Sequence, residues 1–159
     1  MQRHVLVDNP GDLAPRLIAT PPVPISQIGT GAHVIDDTLG VPFSITVPRR
    51  GRIHSLIYYD LDNEKTGVEV WLFNTALTST IPADDAEFII TDVDQLKVEK
   101  VVEVSAFNEA SSGAVAREEF NPPIPYEAVE NKLWGLVRLL AAQTIAVQPY
   151  VSLRVEPLS

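Results

Sequence analysis

Proline constrains this chain more than any other residue. Seven of its thirteen prolines, Pro10, Pro15, Pro21, Pro22, Pro24, Pro42 and Pro48, fall at or before residue 48. Each fixes φ, lacks an amide donor and pushes the preceding residue toward extended geometry, which excludes a helix from this part of the chain. The segment LIATPPVPISQIGTG must run extended, close to polyproline II around Pro21–Pro24. It is not polar as a disordered linker would be, because Leu17, Ile18, Val23, Ile25 and Ile28 all need burial against something. Residues 1–40 therefore read as an extended, proline-rich N-terminal arm lying on a surface, whether of its own domain, a sister subunit or a partner. Those five apolar side chains are the arm's candidate contacts.

From residue 41 the pattern becomes β, and residues 41–159 read as one domain. VPFSITVP alternates, with Phe43, Ile45 and Val47 on one face and Ser44 and Thr46 on the other. RIHSLIYYDL, VEVWLFN, EFIIT, VEKVVEVSAF and IAVQPYVSLRVEP read as further strands, and LDNEKTG as a turn. NEASSGAVAREEFNPP reads as a loop or a long hairpin. KLWGLVRLLAA fits strand or helix by pattern, and Gly135 inside it tips the reading to strand. Seven or eight short strands without a long helix predict an all-β fold, an antiparallel β-sandwich of jelly-roll type.

Charge narrows the partners. Residues 1–50 carry four basic and four acidic side chains, so the whole formal charge of −9 lies in residues 51–159. Such a body repels phosphate backbones, which argues against nucleic acid. The one basic cluster, Arg49-Arg50-Gly51-Arg52, reads as a solvated turn or as a contact with an acidic partner. No apolar run reaches the ~20 residues of a membrane span. A short apolar stretch before Asp8 does not make a signal peptide. There are no cysteines, hence no disulfide framework and no thiolate chemistry.

The densest candidate for chemistry is ADDAEFIITDVDQL, residues 83–96, with Asp84, Asp85, Glu87, Asp92 and Asp94. A calcium loop needs a glycine at its sixth position and a bidentate Glu at its twelfth, and this run has neither. DLDNEKTG, from Asp60, fails at the glycine position too. Turn and cap roles account for more of these residues. Asp84 and Asp85 suit a turn whose backbone they bond. Thr91 suits an N-cap with Asp94 completing a capping box, Leu96 tucked inward and Lys97 closing the last turn. His4, His33 and His54 show no metal spacing, and His33 with Asp36 and Asp37 is a weak ligand set. No nucleophile elbow, phosphate loop or dinucleotide fingerprint occurs. No catalytic, cofactor or metal residues are assigned, and a non-enzymatic protein without cofactors is expected. Trp71, Trp134, Tyr58, Tyr59, Tyr126 and Tyr150 could build a sugar-stacking platform, which keeps a carbohydrate-binding module as an alternative, or serve as core and interface anchors.

The run GVEVWLFNTALTSTIPADDAEFIITDVDQLKVEKVVEV, residues 67–104, resembles a stretch of small tailed-phage virion proteins. There a strand ends in LF and a small polar residue, an AD-x-A turn and a short apolar strand follow, then a TD-x-D turn and a valine-rich strand. IPYEAVENKLWGLVRLLAAQTIAV is similar to their penultimate hairpin, except that Glu130-Asn131-Lys132 stands where a glycine-rich turn precedes the aromatic residue. The resemblance implies a head-decoration, or cement, protein: a β-sandwich or jelly-roll subunit, often trimeric, that braces the capsid exterior. Its partners would be the major capsid protein and itself, with no nucleic acid or membrane, and it would pass through the host cytoplasm before assembly. In that setting Leu17, Ile18, Val23, Ile25, Ile28, Arg49, Arg50 and Arg52 are the candidate partner contacts.

Overall fold

A computed structural model of the chain describes residues 16–29, 31–79, 81–110 and 112–158, so the first part of the arm, residues 1–15, lies outside the described residues. Among the described residues the regular structure is nearly all strand. In chain order these are β1 (Ile18–Ala19), β2 (Val23–Pro24), β3 (Ala32–His33), β4 (Thr38–Thr46), β5 (Arg50–Asp60) and β6 (Val68–Phe73). They continue with β7 (Val98–Val104), β8 (Phe107–Ala110), β9 (Gly113–Glu127), β10 (Lys132–Leu139), β11 (Gln143–Thr144) and β12 (Tyr150–Pro157). A single α-helical turn, α1 (Asp92–Gln95), interrupts them. Every pairing is antiparallel.

Two sheets carry the fold. The larger runs β1-β12-β5-β9-β8, with β2 also on β12; the smaller runs β4-β10-β6-β7; β11 and β3 form a separate pair. Alternation explains how the sheets share a core. Phe43 and Ile45 of β4, Val68, Val70 and Leu72 of β6, and Val102 and Val104 of β7 enter one apolar cluster. Leu56 and Tyr58 of β5 and Val151, Leu153 and Val155 of β12 enter the same cluster from the larger sheet. Each fully buried Leu or Val contributes about 1.5–3 kcal/mol relative to exposure. Gly135 sits in β10 because the Phe43 ring crosses it, and a Cβ there would collide with that ring.

The smaller sheet has a second apolar face. Phe73 and Leu136 are fully buried yet stand outside the main cluster. The register sets Phe73 opposite Trp134 and Leu136 opposite Trp71, so these four side chains share the outward side. The long connection from β6 to β7 lies over this side, with Phe88 against Trp71 at 5.3 Å between ring centroids. EFIIT, expected as a strand, is not one. A single bridge, Asp37 to Glu87, is its only ladder contact, and Phe88 is instead spent on covering Trp71.

The described part of residues 1–40, expected as an arm, pairs with the body of the fold. Ile18–Ala19 and Val23–Pro24 pair with β12, and Ile25 donates its amide to the Pro149 carbonyl at 2.9 Å. Strand β4 starts at Thr38, ahead of the expected domain start at residue 41. The segment NEASSGAVAREEFNPP is the β8–β9 hairpin, and β9 runs on through Pro122, Pro123 and Pro125. Proline has no amide to offer, so this part of β9 presents a blunted outer edge beyond the end of β8.

Candidate functional site

The acidic run divides into two unrelated clasps. The first is Asp84. Its carboxylate accepts the Gly29 amide at 2.7 Å and the Gly40 amide at 2.6 Å, and the Nε2 of buried His33 lies 3.2 Å away. Three distant segments are thereby tied to one side chain, whereas Asp84 was expected to bond the backbone of its own turn. Asp85 occupies that turn with φ 62, a conformation aspartate tolerates better than most residues. The weak ligand set of His33, Asp36 and Asp37 does not gather. Asp37 accepts the Val34 amide at 3.1 Å, and Asp36 pairs with Arg138. Among the described residues no group of three or more histidine or acidic side chains is placed to hold a metal ion.

The second clasp is Asp94. Thr91 does stand at the N-cap of α1 with extended backbone, but its hydroxyl makes no cap bond, so the expected capping box is not formed. Asp94 faces inward instead. It accepts the Thr78 amide at 3.1 Å, the Ser79 amide at 3.0 Å and the Lys97 ammonium at 2.6 Å. Burial alone would raise this carboxyl, but Lys97 and the two amides outweigh it and hold the group below the ordinary carboxylate range. Lys97 also donates to the Ala76 carbonyl at 3.0 Å and the Thr78 hydroxyl at 2.7 Å. With the inward position taken by Asp94, Leu96 points out and is 87% exposed, the reverse of its expected placement.

Other acids behave in the same way. Asp60, at the end of β5, accepts the amides of Asp62 and Lys65, shaping the turn in which Asn63 and Lys65 take positive φ. Asp62 accepts the amides of Ala146 and Val147. Carboxylates here fasten backbone to backbone.

The basic cluster is not a turn. Arg50 and Arg52 lie on β5, with Arg49 just before it, and all three are exposed. Arg49 and Arg50 approach Glu127 at 3.9 and 3.3 Å, and Arg52 approaches Glu156 at 3.9 Å. The five arm candidates do not form one surface. Ile25 is wholly enclosed by this chain's own core, and Val23 and Ile28 pack against it. Leu17 and Ile18 remain exposed.

Of the aromatic candidates, Trp71 and Trp134 share the outward side of the smaller sheet, and Tyr59 stands opposite Tyr150 on neighbouring strands. Tyr58 and Tyr126 are buried in the core, the Trp71 indole N–H donates to Glu69 at 3.0 Å beneath Phe88, and the Tyr59 hydroxyl lies 3.2 Å from that of Ser152. An open cleft of about 560 Å³ is lined by Arg49, Asn74, Glu127, Val129, Glu130 and Asn131. Beside it, burial pushes the Glu99 carboxyl up, against the opposing pull of hydrogen bonds from the Glu127 backbone and the Asn74 side chain. Glu130 and Asn131 both take φ 58 at this rim. The turn keeps the left-handed geometry glycine prefers, with neither residue being glycine. Sequence reasoning missed the clasp partners of Asp84 and Asp94 because those amides lie far away in the chain. No protein-family model matches the chain, and no curated protein matches it in sequence.

Proposed function

We propose that the chain is a virion structural protein that binds the exterior of an assembled phage capsid and stabilises it, as a trimeric decoration protein. In this reading the two sheets form an antiparallel β-sandwich of jelly-roll type. The single core fed by both sheets supports that, as does a chain that changes sheet between β4 and β5, β5 and β6, β7 and β8, and β9 and β10. Residues 1–40 act as its extended arm, with Leu17 and Ile18 the described arm side chains still exposed. The partners are the major capsid protein and further copies of the chain.

One observation carries the reading. The inward acids of the stretch that resembles virion proteins are committed to backbone amides, to the His33 ring and to the Lys97 ammonium, so its side-chain chemistry goes into rigidity. A brace needs that. Its mechanism is mass action: a protein that binds the assembled shell and not its dissociated parts shifts the equilibrium toward the shell. Co-sedimentation with capsids tests it, and the expected result is saturable binding at a fixed number of copies per shell. Shells that stay bare at saturating protein would sink the proposal. A truncation of residues 1–40 is a poor test of the arm, since it also removes the fully buried Ile25 and Leu39. Leu17→Glu with Ile18→Glu probes the arm without touching the core.

A further inference from the structure

Helical turn α1 is folded inside out. Its buried residue is Asp94, while Val93 and Leu96 are 58% and 87% exposed. A turn packed on a core normally buries its aliphatic side chains and exposes its acids. The same connection exposes Ile81 at 40% and Ile89 at 57%. On this connection Pro82, Ala86, Glu87, Ile89 and Thr91 line a shallow pocket of about 190 Å³. Single exposed aliphatics are ordinary on a protein surface, but a cluster of them on one connection marks an interaction site.

Two features separate this patch from a loose loop. It is held from beneath, by the Asp94 clasp on one side and by Phe88 against Trp71 on the other. A surface fixed in advance loses little freedom on binding. Its rim is also charged in one sense. Asp85, Glu87 and Asp92 are exposed and, among the described residues, have no cationic partner. Exposed aliphatic and acidic side chains interleaved along residues 81–96 complement an apolar socket bordered by cations, and they repel the same segment on another copy.

We infer that the outward face of residues 81–96 docks on another protein, one that presents an apolar socket rimmed by lysine and arginine. The inference rests on the capsid-binding reading and names the part of the molecule that meets the shell. Leu96 and Val93 enter the socket, while Asp85, Glu87 and Asp92 set orientation and the rate of encounter.

The full chain and its Leu96→Glu, Val93→Glu and Asp92→Lys variants are titrated onto capsid shells at low and high salt. Val147→Glu, an exposed aliphatic between β11 and β12, serves as control. Thermal unfolding and solution mass are measured for each variant. Leu96→Glu is expected to weaken binding by about tenfold or more. Val93→Glu and Asp92→Lys weaken it less, salt weakens the wild type, and Val147→Glu binds like the wild type. Undiminished binding by both Leu96→Glu and Val93→Glu overturns this inference and leaves the capsid reading standing. Shells left bare by the wild type overturn both. Equal loss in Val147→Glu, or a Leu96→Glu protein whose mass falls from an oligomer's to a monomer's, also overturns it, the latter by showing that the patch joins copies of this chain.

Discussion

The chain has two charge-dense stretches, and they fold in opposite ways. Residues 84–94 send Asp84 and Asp94 inward, where each gathers two amides and a basic side chain. Residues 49–52 keep all three arginines on the surface, each near a glutamate. The difference lies in what surrounds them. Short acidic side chains can satisfy unpaired amides of irregular backbone, and residues 74–97 are mostly irregular. The arginines sit on or beside the ladder of β5, whose amides are already paired, so nothing draws them in. Local density of charge therefore says little about a site. The hydrogen-bonding needs of distant backbone decide.

That contrast can be broken at several points. Asp94→Ala should have the largest effect, about 3 kcal/mol or more of stability lost in urea unfolding, because it strands the Thr78 and Ser79 amides and removes the counter-charge of Lys97. A loss below about 1 kcal/mol would mean that the clasp is ornamental. The same variant carries a pH signature. The folded-state carboxyl lies below the ordinary 3.8, so its contribution is complete above that value and disappears as the pH falls through the folded value. Stability measured from neutral pH downward should show wild type and Asp94→Ala separated at pH 6 and converging below about pH 4.

In the basic stretch the sensitive position is the glycine. A Cβ at Gly51 would lie 2.6 Å from the Glu156 carbonyl oxygen and 2.7 Å from the Tyr126 hydroxyl, so β5 and β12 would have to part. Gly51→Ala should cost about 2 kcal/mol in the same unfolding assay. Arg50→Ala should cost less than about 0.5 kcal/mol, since its pair with Glu127 is exposed on both sides. A larger loss from Arg50→Ala than from Gly51→Ala would reverse the comparison.

Much of the fold was legible in the sequence. Alternation placed Phe43, Ile45 and Val47 on the buried face of β4 and its end, and Gly135 correctly argued for a strand at β10. The connection from β6 to β7 was not legible. EFIIT has the composition of a strand, but the outward side of the smaller sheet needed a cover, and Phe88 supplies it. Leu96 was expected inside on helix logic that reckons only with neighbours in the chain. The inward place went to Asp94 because Thr78, Ser79 and Lys97 pay its desolvation, and no local pattern announces the first two. The pairing of Ile18–Ala19 and Val23–Pro24 with β12, as edge strands of the chain's own larger sheet, was not legible.

The pairing of β1 with β12 has a consequence for how the molecule is made. Ile18 faces Val155 and Ala19 faces Arg154, so the earliest described strand completes its hydrogen bonds only with the latest one. Synthesis delivers β12 long after β1, and closing so long a loop is slow. Until it closes, the edge of β12 accepts whichever first strand reaches it, and crowded nascent chains compete with the chain's own. Dilution during refolding should therefore favour single molecules over exchanged ones.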